Sequence, residues 1–347
     1  MIALVGLTGA CATGAYAVRP DLVPGGFHGV DVLLVLAGWS TVRRLRDGRA
    51  LPTAGHAAAV VAAICVMAAV AAVVLERGAN RTHDALGILA AITGSLNWVL
   101  QSGFEVPGSY ATIVQNLWLA DAVAQLALVT TLLLLLLART APNADRAAIR
   151  LAAVAAVLSF AYAATPGVYL PFNGYFAFAS RGWEFAIGCL VALVAARARD
   201  PRGRLGGAVA LVGLAGTILC AFVVPPSATN NASWWAIPLV ACAVAMTAGA
   251  EQWERGLDSN DGPLLRALAA LPLPLSLTPG IVVGALLYVT GPIWIPGSNV
   301  VRDISAVLLS LLSAVVALVF ARVLTGAVRS LRLRSTVDAG ALRERSA

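Results

Sequence analysis

The stretch "GGFHGVDVLLVLAGWSTVRRLR", residues 25–46, decides the fold class. It opens with glycines and one carboxylate, Asp31, continues through apolar residues and ends at Arg43, Arg44 and Arg46. An apolar run that ends in arginines is typical of a helix that enters the ~30 Å hydrocarbon layer of a bilayer, at ~1.5 Å per residue. The stretch therefore predicts a membrane helix with a single carboxylate near its amino end.

The rest of the chain repeats this pattern. Of its 347 residues, 59% are hydrophobic and 12% are charged, and the mean hydropathy is +0.84, unlike a soluble globular domain. Apolar runs lie at residues 1–18, 30–42, 57–75, 85–101, 112–138, 147–164, 183–196, 205–224, 235–250, 277–291 and 304–324. The sequence predicts an all-α polytopic membrane helix bundle of about 10–11 transmembrane helices. The membrane domain takes up residues 1–330, and residues 331–347 form a basic cytoplasmic tail.

The positive charge indicates topology. The net charge is +7, and every basic residue apart from the histidines is an arginine. The arginines cluster at 43–49, 139–150, 197–204 and 322–345. By the positive-inside rule these clusters face the cytoplasm, which predicts a multi-pass protein of the cell membrane with a cytoplasmic C-terminus and no nucleic-acid partner.

Topology also singles out one apolar run. Three runs lie between the arginines that end at 49 and those that begin at 139, but two cytoplasmic ends require an even number of crossings. Residues 85–101 contain Asn97 and are followed by the polar stretch "QSGFEVPGSY". We therefore expect this run to cross the bilayer incompletely.

The cysteines and histidines indicate no metal or disulfide. The five cysteines stand singly in or beside apolar runs, which is typical of packing residues. His56 and His83 lie at the boundaries of runs without the spacing of metal ligands. The sequence therefore predicts no bound metal and no cofactor.

Four stretches carry a resemblance to a known family. They are "GGFHGVDVLLVLAGWS" at 25–40, "SLNW" at 95–98, "NLWLADAVAQLAL" at 116–128 and "SRGWEFAIGCLVAL" at 180–193. In the order and spacing of these stretches the chain resembles the membrane-bound acyltransferase-3 family over residues 15–200. Arg181, Trp183, Glu184 and Gly188 follow the family's Arg-x-Trp-Glu-x-x-x-Gly pattern, and Asn97 opens its Asn-Trp pair.

The resemblance implies an enzyme that moves an acyl group from a coenzyme A thioester to a hydroxyl of a cell-surface glycan or glycolipid. The family places a histidine base near the outer end of the first helix, where this chain has Ala17. Of the family's Trp-Ser-Leu-x-x-Glu-x-Gln helix, Trp118 and Gln125 remain, while the glutamate position holds Val123 or Ala124. Further departures lie at Thr8, at Thr290, Gly291 and Pro292, and near Thr325. The resemblance is therefore to a divergent member.

The remaining charges in apolar runs are expected to be paired, because an unpaired charge there is unfavourable by ~2.5–3.5 kcal/mol. Asp31 suits the N-terminal end of a helix dipole, and Arg181 and Glu184 suit an i,i+3 ion pair. We expect these three side chains to meet at the outer ends of their helices. Asp121 suits either a hydrogen bond within the bundle or a buried pair with an arginine. His28 stands three residues before Asp31. If the helix starts early, the two share a face and His28 would act as a relocated base; alternatively, His28 is a solvated histidine of an outer loop.

Three functional interpretations stay open. The first is an acyltransferase of weak activity, with acyl-CoA as donor substrate and Arg43, Arg44 and Arg46 binding its phosphates, although topology also explains these arginines. The second is a catalytically degenerate member, or pseudoenzyme, of the cell envelope that serves as a scaffold or lipid-binding partner of another membrane protein. The third is a lipid transporter. In all three the lipid bilayer is the predicted surrounding.

Overall fold

A computed structural model describes residues 2–19, 21–48, 50–75, 79–101, 117–165, 176–195, 203–224, 232–255, 282 and 300–346. These residues form helices joined by short turns, and no β-strand occurs among them. The predicted all-α class is confirmed.

Eleven α-helices lie within the described residues. Their bounds are α1 Ile2–Val18, α2 Gly29–Arg46, α3 Ala50–Leu75, α4 Ala79–Ile92, α5 Leu96–Gln101, α6 Trp118–Thr140, α7 Ala144–Ala164, α8 Phe178–Ala195, α9 Gly203–Val223, α10 Ala232–Arg255 and α11 Val300–Ser346. A turn of 3₁₀-helix, Gly26–His28, leads into α2. The boundary predicted at residue 330 falls inside α11, and the predicted run 277–291 lies, except for residue 282, outside the described residues.

Five of these helices are long and apolar enough to cross a membrane. The spanning segments are the whole of α6, α7 and α8, Leu205–Val223 of α9 and Asp303–Val323 of α11. Two shorter apolar segments are α1 and Ala57–Ala71 of α3. Side chains on the outer faces agree with lipid contact: Leu132 and Leu136 of α6 and Val157 of α7 are each more than half exposed. The chain is a multi-pass membrane protein.

Helix α2 lies at the centre of the bundle. Its Leu34 belongs to an apolar cluster with α3, α4, α5, α6 and α11. Its Val35 joins a second cluster with α1, α7, α8 and α10, and its Trp39 joins a third with α7 and α8. Because α2 contributes to all three clusters, a polar group on it is surrounded by protein rather than by lipid.

Two glycines bring α2 and α8 into close contact. A Cβ added at Gly38 would lie 1.9 Å from the carbonyl oxygen of Phe185, and one added at Gly188 would lie 1.9 Å from that of Val35. Small residues allow this approach of two membrane helices. Asp31 stands two helical turns before Gly38, and Arg181 stands two turns before Gly188. The two helices therefore run parallel in matched register, which places Asp31 opposite Arg181.

The run predicted to cross incompletely is broken in the structure. Helix α4 ends at Ile92, Gly94 has a left-handed φ of 72°, and α5 begins at Leu96. The break is held by α6: the Asp121 carboxylate accepts the Leu96 N–H at 2.8 Å, and Gln125 Nε2 donates to the Gly94 carbonyl at 2.6 Å. Non-helical backbone inside a helix bundle needs such partners. Residues 85–101 therefore do not form one continuous helix. That the run crosses the bilayer incompletely stays a prediction.

The loop after α1 is joined to α11. Arg19 Nη1 donates to Asp303 Oδ2 at 3.2 Å, and Arg19 Nη2 lies 2.9 Å from Asp21 Oδ2. The hydrogen bonds from this guanidinium hold the pKa of the Asp21 carboxyl below its usual value. This end of the bundle is thus closed by an ion-pair network.

Candidate active site

Four ionisable side chains from α2 and α8 meet inside the bundle: His28, Asp31, Arg181 and Glu184. We call them the charge cluster. His28 Nδ1 lies 2.5 Å from Asp31 Oδ2, and Arg181 Nη1 donates to both Asp31 Oδ1 and Glu184 Oε1 at 2.9 Å. Each of the four is at most 1% exposed. The predicted meeting of Asp31, Arg181 and Glu184 is confirmed. His28 is not a solvated loop histidine but lies buried against Asp31.

Local sequence places each member. His28 ends the 3₁₀ turn and Asp31 stands in the first turn of α2, so the i,i+3 spacing puts both on one face. The amino end of α2 also favours a carboxylate through the helix dipole. On α8, Arg181 and Glu184 repeat the same spacing. Two such pairs, set opposite each other by the contact at Gly188, make up the cluster.

The charge cluster holds two carboxylates and one guanidinium beside the imidazole. Burial makes an unpaired charge unfavourable. The hydrogen bonds from Arg181 Nη1 and the contact with His28 Nδ1 keep the two carboxylates paired.

One nitrogen of the imidazole remains available. Among the described residues, His28 Nε2 and Glu184 Oε2 have no hydrogen-bond partner, although a buried polar atom without one is unfavourable by ~1–3 kcal/mol. The Phe27 ring stacks against His28 with centroids 4.0 Å apart, and Tyr16 of α1 meets Phe27 edge-on at 5.4 Å. Nε2 is therefore the buried ring nitrogen that is not engaged by Asp31.

Ala17, at the position of the family's base, packs elsewhere. It lies against an apolar cluster formed by Val18, Val282 and Ala306. Its neighbour Tyr16 is the residue of α1 that reaches towards His28, through Phe27. Position 17, where the family has its histidine base, is therefore not part of the charge cluster.

Asn97 and Gln125, predicted to support the site, contact each other. Gln125 Nε2 donates to Asn97 Oδ1 at 2.9 Å, and Trp98 Nε1 donates to Gln125 Oε1 at 3.1 Å. Together with Asp121 they hold the break between α4 and α5. Their resolved contacts indicate a structural role at that break.

The two tryptophans predicted to support the site are buried in the apolar core. Trp118 meets Phe176 edge-on with ring centroids 5.4 Å apart, and Trp183 meets Phe160 in the same way at 5.1 Å. Trp183 separates Arg181 from Glu184 in sequence but packs with α7 and α10. It fixes the rotation of α8 that turns the two charged residues towards α2.

The arginines predicted to bind donor phosphates lie at the opposite end of α2, about 22 Å from His28 at the rise of an α-helix. Arg43 stacks over the Trp39 ring at 5.0 Å, and Arg46 pairs with Asp145 at 2.8 Å. Arg44 is exposed. A donor that reaches both regions must be extended.

Sequence reasoning missed Glu251. Glu251 lies within α10, is 3% exposed and accepts a hydrogen bond from Trp39 Nε1 at 2.7 Å. A signal was present: a carboxylate directly follows the apolar run 235–250, and a buried indole N–H on α2 needs an acceptor.

Comparisons of this chain with protein-family models, with curated proteins and with solved structures give no match.

Proposed function

We propose that this protein is an O-acyltransferase of the acyltransferase-3 type that transfers an acyl group from a coenzyme A thioester to a hydroxyl of a cell-surface glycan or glycolipid. It acts in the cell membrane with its C-terminus in the cytoplasm. One observation carries the proposal: a buried imidazole, His28, is hydrogen-bonded to Asp31 through Nδ1, and its Nε2 has no hydrogen-bond partner within the described part of the chain. This is the arrangement of an oriented general base.

In the proposed reaction His28 Nε2 takes the proton of the acceptor hydroxyl. The hydroxyl oxygen attacks the thioester carbonyl, the C–S bond breaks, and the proton passes from the imidazole to the leaving thiolate. The products are the ester and free coenzyme A. The Asp31 carboxylate at Nδ1 stabilises the imidazolium that forms during this step.

Asp31 and Arg181 are positioning residues in this mechanism. The Asp31 carboxylate accepts the Nδ1 proton and so fixes the tautomer with an unprotonated Nε2. Arg181 holds Asp31 in place from α8 and shares its charge with Glu184. Loss of either one should change the pH dependence of transfer as well as its rate.

A second candidate is a catalytically degenerate member that acts as a scaffold or lipid-binding partner. Two observations favour it: His28 is fully buried, and the base position of the family holds Ala17. In this case the charge cluster serves only to join α2 and α8.

Transfer from radiolabelled acyl-CoA by the purified protein in lipid nanodiscs distinguishes the two candidates. The assay uses short-chain acyl-CoA donors and membrane glycolipid and glycan acceptors, and release of free coenzyme A is followed in parallel. We expect measurable turnover that falls by ~10²–10⁴-fold in His28→Ala. His83→Ala is the matched control for loss of a histidine and should keep the activity.

An absence of transfer and of thioester cleavage by the intact protein with every donor would support the degenerate candidate. Turnover that is unchanged in a folded His28→Ala protein would contradict the assignment of the base.

A further inference from the structure

A long apolar groove runs between α6, α7 and α8, on a face of α8 different from that of the charge cluster. Its volume is about 400 Å³. Along α8 it extends from Phe178 to Leu193, which is about 22 Å at the rise of an α-helix. Its walls are mostly aliphatic and aromatic, and they include Leu133 from α6 and Ala155 from α7.

The length and lining of the groove indicate what it can hold. It is about 22 Å long and is lined almost wholly by apolar side chains. A chain of methylene groups matches both features, because its carbon atoms pack at ~4 Å against aliphatic side chains along the whole length. The groove therefore suits one hydrocarbon chain.

The charges at one end of the groove indicate that the ligand has an anionic headgroup. Val42 lines this end, and Arg46 stands one turn further along α2. The described residues at this end of α2, α6 and α7 carry six arginines, Arg43, Arg44, Arg46, Arg139, Arg146 and Arg150, against two aspartates, Asp47 and Asp145. Arginine clusters at the membrane surface attract anionic lipid headgroups, and each arginine contributes about 1 kcal/mol to the free energy of binding.

We propose that the groove binds one acyl tail of an anionic phospholipid whose headgroup phosphate contacts the arginine-rich ends of α2, α6 and α7. The tail lies along α8 between Leu133 and Ala155, and its far end reaches Phe178. The bound lipid fills the space between α6 and the α7–α8 pair. This binding is independent of any acyl transfer at the charge cluster.

Native mass spectrometry of the purified protein tests the proposal. The protein is equilibrated with phosphatidylglycerol and phosphatidylcholine of identical acyl chains, and the lipid that stays bound after detergent exchange is counted. We expect one phosphatidylglycerol per chain and about tenfold less phosphatidylcholine. A tenfold difference corresponds to about 1.4 kcal/mol.

Ala155→Phe places a ring in the groove and should lower the retained phosphatidylglycerol about tenfold. Val157→Phe is the matched control, because Val157 stands on the same helix but is 66% exposed on its outer face; it should keep the lipid. Ala155→Leu is the smaller substitution to use if the phenylalanine variant loses helicity. Equal retention by folded Ala155 and Val157 variants would overturn the site, and equal retention of the two lipids would overturn the role of the arginines.

Discussion

Arg181 Nη1 lies 2.9 Å from Asp31 Oδ1, a contact that joins α8 to α2 across 150 positions of the chain. The same nitrogen reaches Glu184 Oε1 at 2.9 Å, and all three side chains are sealed from solvent. One guanidinium thus pairs with two buried carboxylates. Loss of the Arg181 side chain should therefore leave both carboxylates without this buried partner.

Removal of this guanidinium should destabilise the protein strongly. In Arg181→Met both Asp31 and Glu184 stay buried without their cation, so we expect a loss of ~3–5 kcal/mol in the free energy of unfolding. The measurement is reversible unfolding in mixed detergent micelles. Arg46→Met, which breaks the exposed pair with Asp145, is the control and should lose at most ~1 kcal/mol. Similar losses of unfolding free energy in Arg181→Met and Arg46→Met would contradict the pairing of Arg181 with both carboxylates.

The contact between α2 and α8 should tolerate no side chain at Gly188. A methyl group there would lie 1.9 Å from the Val35 carbonyl oxygen, so Gly188→Ala must push the helices apart. We expect a loss of ~1–3 kcal/mol or more, measured by the same unfolding assay. Gly55→Ala is the control: a Cβ there meets nothing within 4 Å, and alanine favours the helix by up to ~1 kcal/mol. A neutral Gly188→Ala would show that the matched register does not depend on this contact.

The break between α4 and α5 should loosen when its acceptor is removed. Asp121→Ala leaves the Leu96 N–H without its partner, at a cost of ~1–3 kcal/mol. Hydrogen exchange of the Leu96 amide should accelerate at least about tenfold, since local opening follows this free energy. Exchange in Asp145→Ala, which removes an exposed carboxylate, should match that of the unmodified protein. Protection that survives in Asp121→Ala would assign the break to other contacts.

A histidine at position 17 should not replace His28. Ala17 packs against Val18 and Ala306, apart from the charge cluster. In the double variant Ala17→His with His28→Ala we therefore expect transfer to stay at the level of His28→Ala alone, measured as release of coenzyme A. Recovery of activity would place the base of the family on α1 after all.

The apolar runs of the sequence predicted both the helical class and the meeting of the charged side chains. Runs of this length indicate membrane helices, and charges inside them must be paired. Asp31, Arg181 and Glu184 therefore had few possible partners other than one another. The break at Gly94 was predictable in outline from charge and topology. Its fastening by Asp121 and Gln125 was not, because that depends on the rotation of α6 against α4 and α5. Glu251 was missed for a similar reason: a carboxylate at the end of an apolar run reads as solvated until a partner such as Trp39 is seen.

The way α6 fastens the break between α4 and α5 also bears on biogenesis. The backbone groups of Leu96 and Gly94 depend on side chains that are 25 and 31 positions later in the chain. At ~5–20 residues per second, translation delivers those side chains roughly one to six seconds after the groups they satisfy. Until then the Leu96 N–H and the Gly94 carbonyl lack these partners, which is unfavourable for polar backbone groups removed from water. The turn between α4 and α5 is therefore expected to reach its final structure only after α6 has been synthesised.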